Sequence, residues 1–195
     1  MITAGAIGLP EQSTSSGISL RGRTVPSYIA VEGPIGVGKT TLARRIADTF
    51  DYDLLLEEAE MNPFLERFYL NRQQTALATQ LFFLFQRVQK ITELKQRDMF
   101  DQARVADFVL EKDPLFAGVN LDPDEFALYE KVFSKMRVDA PVPDLVIYLQ
   151  ASPDRLLERI DRRGIDAERL IDRRYLEQLN EVYSEFFLYY DAAPL

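Results

Sequence analysis

The chain contains no cysteine and no histidine. Without cysteine there is no disulfide framework and no thiolate zinc site. Without histidine the commonest general base and metal ligand are missing, so proton transfer falls to carboxylates, lysine or tyrosine. Positive charge is in short supply as well. Lys and Arg number 23 against 31 Asp and Glu, a net charge of -8, so the surface as a whole does not attract nucleic acid. No apolar run reaches membrane-spanning length. The opening stretch "MITAGAIGLPEQSTSSGIS" lacks the basic start and long apolar centre of a secretion signal. Together these absences predict a cytoplasmic protein whose partners include neither nucleic acid nor membrane.

What the chain has in quantity is apolar mass. Of its 195 residues 47% are hydrophobic, with 13 Phe and 9 Tyr, which suits one domain with a sizeable core. Residues 1–26 are rich in Gly, Ser, Thr and Pro without a steady period and read as a flexible tail or linker. Residues 27–195 read as the folded domain.

The stretch "VEGPIGVGKTTLARRI" fits G-x-x-x-x-G-K-[ST] from Gly33 to Thr40, the phosphate-cradling P-loop. The apolar, β-branched "YIAVE" before it predicts a buried strand. Leu42, Ala43, Ile46, Ala47 and Phe50 after it fall at helical spacing. Strand, glycine loop and helix are the context that motif requires, and backbone N–H groups at a helix start favour an anion. The candidate phosphate-binding residues are therefore Gly33, Pro34, Ile35, Gly36, Val37, Gly38, Lys39, Thr40 and Thr41. The alternative is a glycine-rich turn that binds nothing.

Further along, "DYDLLLEE" (51–58), "QARVADFVL" (102–110) and "PDLVIYLQ" (143–150) read as strands. Helices are expected from Asn62-Pro63, over about 75–98, after the capping Asp122, after Ser152-Pro153, and over 172–190. Strands alternating with helices imply an α/β fold with a parallel sheet covered on both faces. The ending "DAAPL" turns apolar, as if a fifth strand began there.

Three features beyond the loop narrow the chemistry, and no guanine-reading Asn-Lys-x-Asp accompanies them. Glu57 and Glu58 close the second strand, where ligands of open α/β sheets bind. A carboxylate there suits accepting a hydroxyl proton during attack on a γ-phosphate; a solvated pair is the alternative. Asp107 lies near the end of the third strand and, with the Thr40 hydroxyl, suits Mg²⁺, which prefers oxygen ligands and keeps its waters; an Asp that simply ends a strand is the alternative. Seven arginines lie between Arg155 and Arg174, with Arg155, Arg159 and Arg163 on one helical face. A mobile basic lid fits phosphoryl transfer; a salt-bridged surface among the local acids is the alternative.

The pieces "YIAVEGPIGVGKTTLA", "EEAEMNPFLERFY", "TQLFFLFQRVQ", "PDLVIYLQASPDRLLERIDRRG" and "YLEQLNEVY", in that order, resemble the deoxynucleoside kinases, in particular their bacterial deoxyadenosine and deoxyguanosine kinase branch. The resemblance covers about residues 28–190. It implies a P-loop kinase fold with sheet order 2-3-1-4-5 and an Arg-rich lid. It implies ATP and Mg²⁺ as cofactors, a deoxynucleoside as substrate and a homodimer. In the family a strand-end Glu, usually followed by Pro, acts as base toward the 5′-hydroxyl. That residue is Glu57 here, with Glu58 in the Pro position. The family pattern also puts Tyr69 and Glu168 at the sugar 3′-hydroxyl, Gln80 and Arg87 at the base, and Arg159 and Arg163 in the lid. Asp107 and Thr40 fall at the metal, and Lys39 at the β- and γ-phosphates.

The chain also departs from the family. Asp or Glu, then Arg and Ser, usually follow the third strand; here Asp107 precedes Phe108 and Val109, and Lys112 is the candidate replacement cation. Ile165 stands where another lid arginine is common. The family's fifth strand and adenine loop lie beyond the point where this chain stops, so a C-terminally truncated domain is expected. Two rival readings fit the same sequence: a nucleoside-monophosphate kinase such as thymidylate kinase, and a non-catalytic nucleotide-binding module.

Overall fold

Strand β3 (Tyr28–Glu32) is the centre of the molecule, and its alternation explains the layers. Ile29 and Val31 point to one face of the sheet, where they pack with Ala43, Ala47, Tyr52 and Val105. Ala30 points to the other and meets Val109, Val146, Tyr183 and Phe187. A strand buried on both faces must be parallel and flanked by helices, and it is. In the computed structural model, which describes residues 19–20, 23–97, 103–136 and 140–195, β4 (Asp53–Leu55), β5 (Arg104–Ala106), β3 and β6 (Leu145–Tyr148) form one parallel sheet in the order β4-β5-β3-β6. Counted within that sheet, this is the expected 2-3-1-4.

Helix α1 (Lys39–Phe50) leaves the glycine loop with Ala43 and Ala47 against the sheet. Its end is turned by Asp51, whose φ of 57° is left-handed and whose N–H reaches the Ala47 carbonyl. Two helices follow β4, α2 (Leu65–Leu70) and the 26-residue α3 (Arg72–Arg97). Then come α4 (Asp113–Asn120), α5 (Pro123–Met136), α6 (Pro153–Arg163) and α7 (Arg173–Leu188). Asp122 and Ser152 cap α5 and α6 with side-chain oxygens, as expected, and Asp172, expected inside its helix, caps α7 in the same way.

Several expectations need correction. The second and third strands are three residues each, because their apolar runs continue into the loops that carry the site. The fourth is four residues. Gln102 lies outside the described residues. Helix α4 was not anticipated; its eight residues open on Asp113-Pro114 and include Gly118, which leaves little helical pattern to read. Most of the expected tail, 1–26, also lies outside the described residues, but Ser19–Leu20 (β1) pairs antiparallel with Arg23–Thr24 (β2). In "DAAPL" the Pro194 carbonyl accepts the Val146 N–H at 2.8 Å, so this segment lies along the outer edge of β6.

The starts of β3 and β6 are clamped by one side chain. Asp144 Oδ2 accepts the N–H groups of Ser27 and Tyr28, at 2.8 and 2.9 Å, and the Ser27 hydroxyl at 2.7 Å. Burial raises the Asp144 carboxyl, but these donors outweigh it and leave it below the usual aspartate value. Asp144→Ala is expected to lower unfolding free energy by about 1–2 kcal/mol, from lost hydrogen bonds to a charged acceptor. A depressed carboxylate stabilises above its unfolded value and loses that contribution as pH falls through its folded value. The urea midpoints of wild type and variant should therefore differ at neutral pH and converge under acid.

Candidate active site

The carboxyl ends of β3, β4 and β5 meet at the glycine loop. Gly33 has φ 147°, and a Cβ there would lie 2.4 Å from the Leu149 carbonyl oxygen, so only glycine lets the chain leave β3 beside β6. Gly38, at φ 105°, starts α1. Lys39 arches back over the loop, its Nζ donating to the carbonyls of Gly33 at 2.7 Å and Pro34 at 3.2 Å. Burial, with Lys112 nearby, lowers its pKa.

Asp107, one residue past β5, ties the loop to the strand-end glutamate. Thr40 Oγ1 donates to Asp107 Oδ2 at 2.5 Å, and Asp107 Oδ1 accepts the Glu57 N–H at 2.7 Å. Burial raises the Asp107 carboxyl against these donors. Through one side chain, the helix that holds the P-loop lysine is connected to the backbone of residue 57.

The two strand-end glutamates part. Glu58 turns outward and pairs with Lys90 at 3.0 Å, the solvated alternative. Glu57 turns inward, with Oε1 ion-paired to Arg87 and Oε2 lying 3.3 Å from Lys112 Nζ. Burial alone raises the Glu57 carboxyl, but Arg87, Lys112 and Lys39 together hold it down at about 2. Lys112, on the 3-10 turn Leu110–Lys112, thus brings its ammonium beside the Glu57 carboxylate.

Arg87 is forked: its other branch pairs with Asp113, the first residue of α4, which is wholly buried. Burial pushes the Asp113 carboxyl up to about 6 despite that partner. Gln80 lies two turns before Arg87 on the buried face of α3, a stripe of Ala76, Gln80, Leu84, Arg87 and Ile91 interrupted by two polar groups. The stripe was legible as a helix, and its polar interruptions are what mark a site. Asp113 was missed. Its signal was a carboxylate next to proline, one residue past Lys112 and six past Asp107.

The arginine cluster divides between the two expectations. Arg159 donates to the Val37 carbonyl at 2.6 Å, and α6 lies so close that a Cβ on Gly36 would be 2.8 Å from Ile160 Cγ1. Arg163 is bonded to Glu168, which is buried, and Tyr69 packs beside them in the cluster of Leu156, Ile160 and Tyr175. Burial, then Tyr175 and Glu168, push the Tyr69 hydroxyl well above its ordinary value. Arg155 and Arg162 instead share Glu158 on the open surface. Of the expected residues, Glu57, Lys39, Lys112, Asp107, Thr40 and Arg87 form one connected cluster. Tyr69, Arg163 and Glu168 form a second group at the C-terminal end of α6. Thr41 is exposed. No described helix is long and apolar enough to cross a membrane.

Comparison with known proteins places the chain in one family. A family model described as deoxynucleoside kinase matches residues 29–195. A Bacillus subtilis deoxyguanosine kinase is 36% identical over 157 residues, covering 80% of this chain and 76% of the relative. A deoxyadenosine/deoxycytidine kinase of the same organism is 30% identical over 179 residues, covering 87% and 80%. The solved structure of an M. mycoides deoxyadenosine kinase with bound dATP has a TM-score of 0.73 at 30% identity, covering 85% of this chain and 90% of that one.

Proposed function

The chain belongs to the deoxynucleoside kinase family, and we propose that Glu57 is the base through which it works. It is a kinase that phosphorylates a deoxynucleoside to the 5′-monophosphate. In the proposed arrangement the phosphate donor is ATP, held by the backbone of Gly33–Thr40, with Lys39 at its β- and γ-phosphates. The 5′-hydroxyl faces Glu57, which orients it and accepts its proton. Lys112 and Arg159 offset charge on the transferred group. The sugar lies toward Tyr69 and Glu168, and the base toward Gln80, Arg87 and Asp113.

The Thr40 hydroxyl and Asp107 carboxylate are a pair of hard oxygen donors at the loop, the chemistry Mg²⁺ takes. When bound there, the ion supplies charge neutralisation to the phosphates. The reading includes a cytoplasmic site of action, where ATP and free deoxynucleosides meet, and a homodimer.

The observation that carries the proposal is the Asp107 bridge. Its two oxygens bind the P-loop threonine and the Glu57 N–H, at 2.5 and 2.7 Å, so the donor loop and the base share one anchor. Deoxyguanosine and deoxyadenosine, the substrates in the relatives' names, are the first acceptors to try. With γ-labelled ATP and the four deoxynucleosides, at least one purine deoxynucleoside should be labelled about tenfold more efficiently, by kcat/KM, than thymidine. Label passing only to deoxynucleoside monophosphates sinks the reading in favour of a monophosphate kinase.

A further inference from the structure

Glu32 is the last residue of β3, directly before Gly33, and no part of it is exposed. A charged residue at that depth is unfavourable unless its oxygens are fully partnered. They are. Oε1 accepts the Gly33 N–H at 2.9 Å and the Tyr183 hydroxyl at 3.0 Å. Oε2 accepts the Val109 N–H at 3.0 Å and lies 3.5 Å from Lys112 Nζ. One carboxylate thus gathers the start of the P-loop, the segment after β5, the 3-10 turn carrying Lys112, and α7.

The contact with Lys112 is the informative one. That lysine is 1% exposed, and its ammonium lies between two carboxylates, 3.3 Å from Glu57 and 3.5 Å from Glu32. A lysine ammonium is a point charge on a stem of rotatable bonds, so its position is set by its partners. With Glu57 as sole partner, the ammonium would close onto the carboxylate that has to receive a proton. A second carboxylate at nearly equal distance holds it midway.

We propose that Glu32 is a positioning residue of the phosphoryl transfer, acting through Lys112. It keeps the ammonium beside Glu57 without closing on it, and its bond to the Gly33 N–H sets that ammonium in the same frame as the P-loop. The inference rests on the reading of Glu57 as the base. A hub of purely structural hydrogen bonds is the competing role, and Tyr183 separates the two, because its hydroxyl touches Glu32 and not Lys112.

The test is a set of folded variants assayed for kcat, both KM values and melting temperature. Glu32→Gln should lower kcat roughly 10- to 100-fold while both KM values stay within about threefold, the pattern of a group felt in the transition state. Tyr183→Phe should lower the melting temperature and leave kcat within about twofold. In a Lys112→Met background, Glu32→Gln should cause no further loss of kcat, since its effect passes through the missing ammonium. The proposal is overturned if Tyr183→Phe lowers kcat as much as Glu32→Gln, or if the Glu32 and Lys112 losses multiply. Should Glu32→Gln not fold, Glu32→Asp replaces it in the same cycle. That variant keeps the charge and withdraws it by one methylene, and its loss must likewise vanish without Lys112. Full activity in Glu57→Gln would defeat the base assignment by itself, whereas the Glu32–Lys112 cycle reads the coupling independently.

Discussion

Glu57→Gln is expected to lower kcat by about two to four orders of magnitude, the range general-base groups supply, while ATP binds as before. The proposed nucleotide contacts lie on Gly33–Thr40, where the side chains of Lys39 and Thr40 bond to Gly33, Pro34 and Asp107 and not to the Glu57 side chain. The anchor between Asp107 and residue 57 uses the backbone N–H, which glutamine keeps. What glutamine loses is the negative charge facing Arg87 and Lys112 and the ability to take a proton. A carboxylate held at about 2 is ionised throughout the neutral range, so the acid limb of kcat/KM due to this group belongs well below pH 5. Such a depressed base is weak toward a free alcohol. Its contribution comes from orienting the hydroxyl and from receiving the proton late, once bonding to phosphorus has acidified it. Nucleotide titration and steady-state kinetics on the same preparation check this. An activity loss below about tenfold would remove Glu57 from the mechanism.

The parts legible in the sequence were those where local pattern and chemistry coincide. Gly33 to Thr40 is recognisable because a backbone wrapping phosphate needs glycines and a lysine at fixed spacing. The capping residues Asp122 and Ser152 announce their helices because capping is a one-turn interaction. The parts that were not legible depend on contacts across the sheet. Side-chain chemistry does not separate Glu57 from Glu58; the family resemblance pointed to Glu57, and it is the end of β4, paired with β5, that turns Glu57 toward Arg87 and Glu58 toward Lys90. Helix α4 was hidden because eight residues give little periodicity, and its first residue is fixed by Arg87, 26 positions earlier. Glu32 read as the tail of a strand. Its partners, Val109, Lys112 and Tyr183, lie 77 to 151 residues away and come together only in the fold.

Arg87→Met is expected to be the most destabilising single change at the site. The guanidinium is 4% exposed and forks between the partly buried Glu57 and the wholly buried Asp113. Burial opposes its charge, but Asp113 and Glu57 more than compensate and raise its pKa. Removing one partner of a buried pair typically costs about 3–5 kcal/mol, because the remaining charge is left uncompensated. For a domain of this size that corresponds to a fall of roughly 10 °C in melting temperature. Most of the loss should come from Asp113, which is wholly buried and whose Oδ2 has no hydrogen-bond partner. Its folded pKa is already raised to about 6, above the unfolded value, so its neutral form is the better tolerated one. The sign follows: the folded state gains relative stability as pH falls through that value and loses it as pH rises. Without Arg87 the shift grows, so Arg87→Met should be markedly weaker than wild type in urea at pH 8 and closer to it at pH 5. Adding Asp113→Leu removes the stranded charge. The double variant should therefore recover stability at pH 8 beyond the single one while activity stays lost, since the fork that holds Glu57 is gone. Equal urea midpoints for wild type and Arg87→Met at pH 8, or no recovery in the double variant, would mean that the fork is not what balances these two carboxylates.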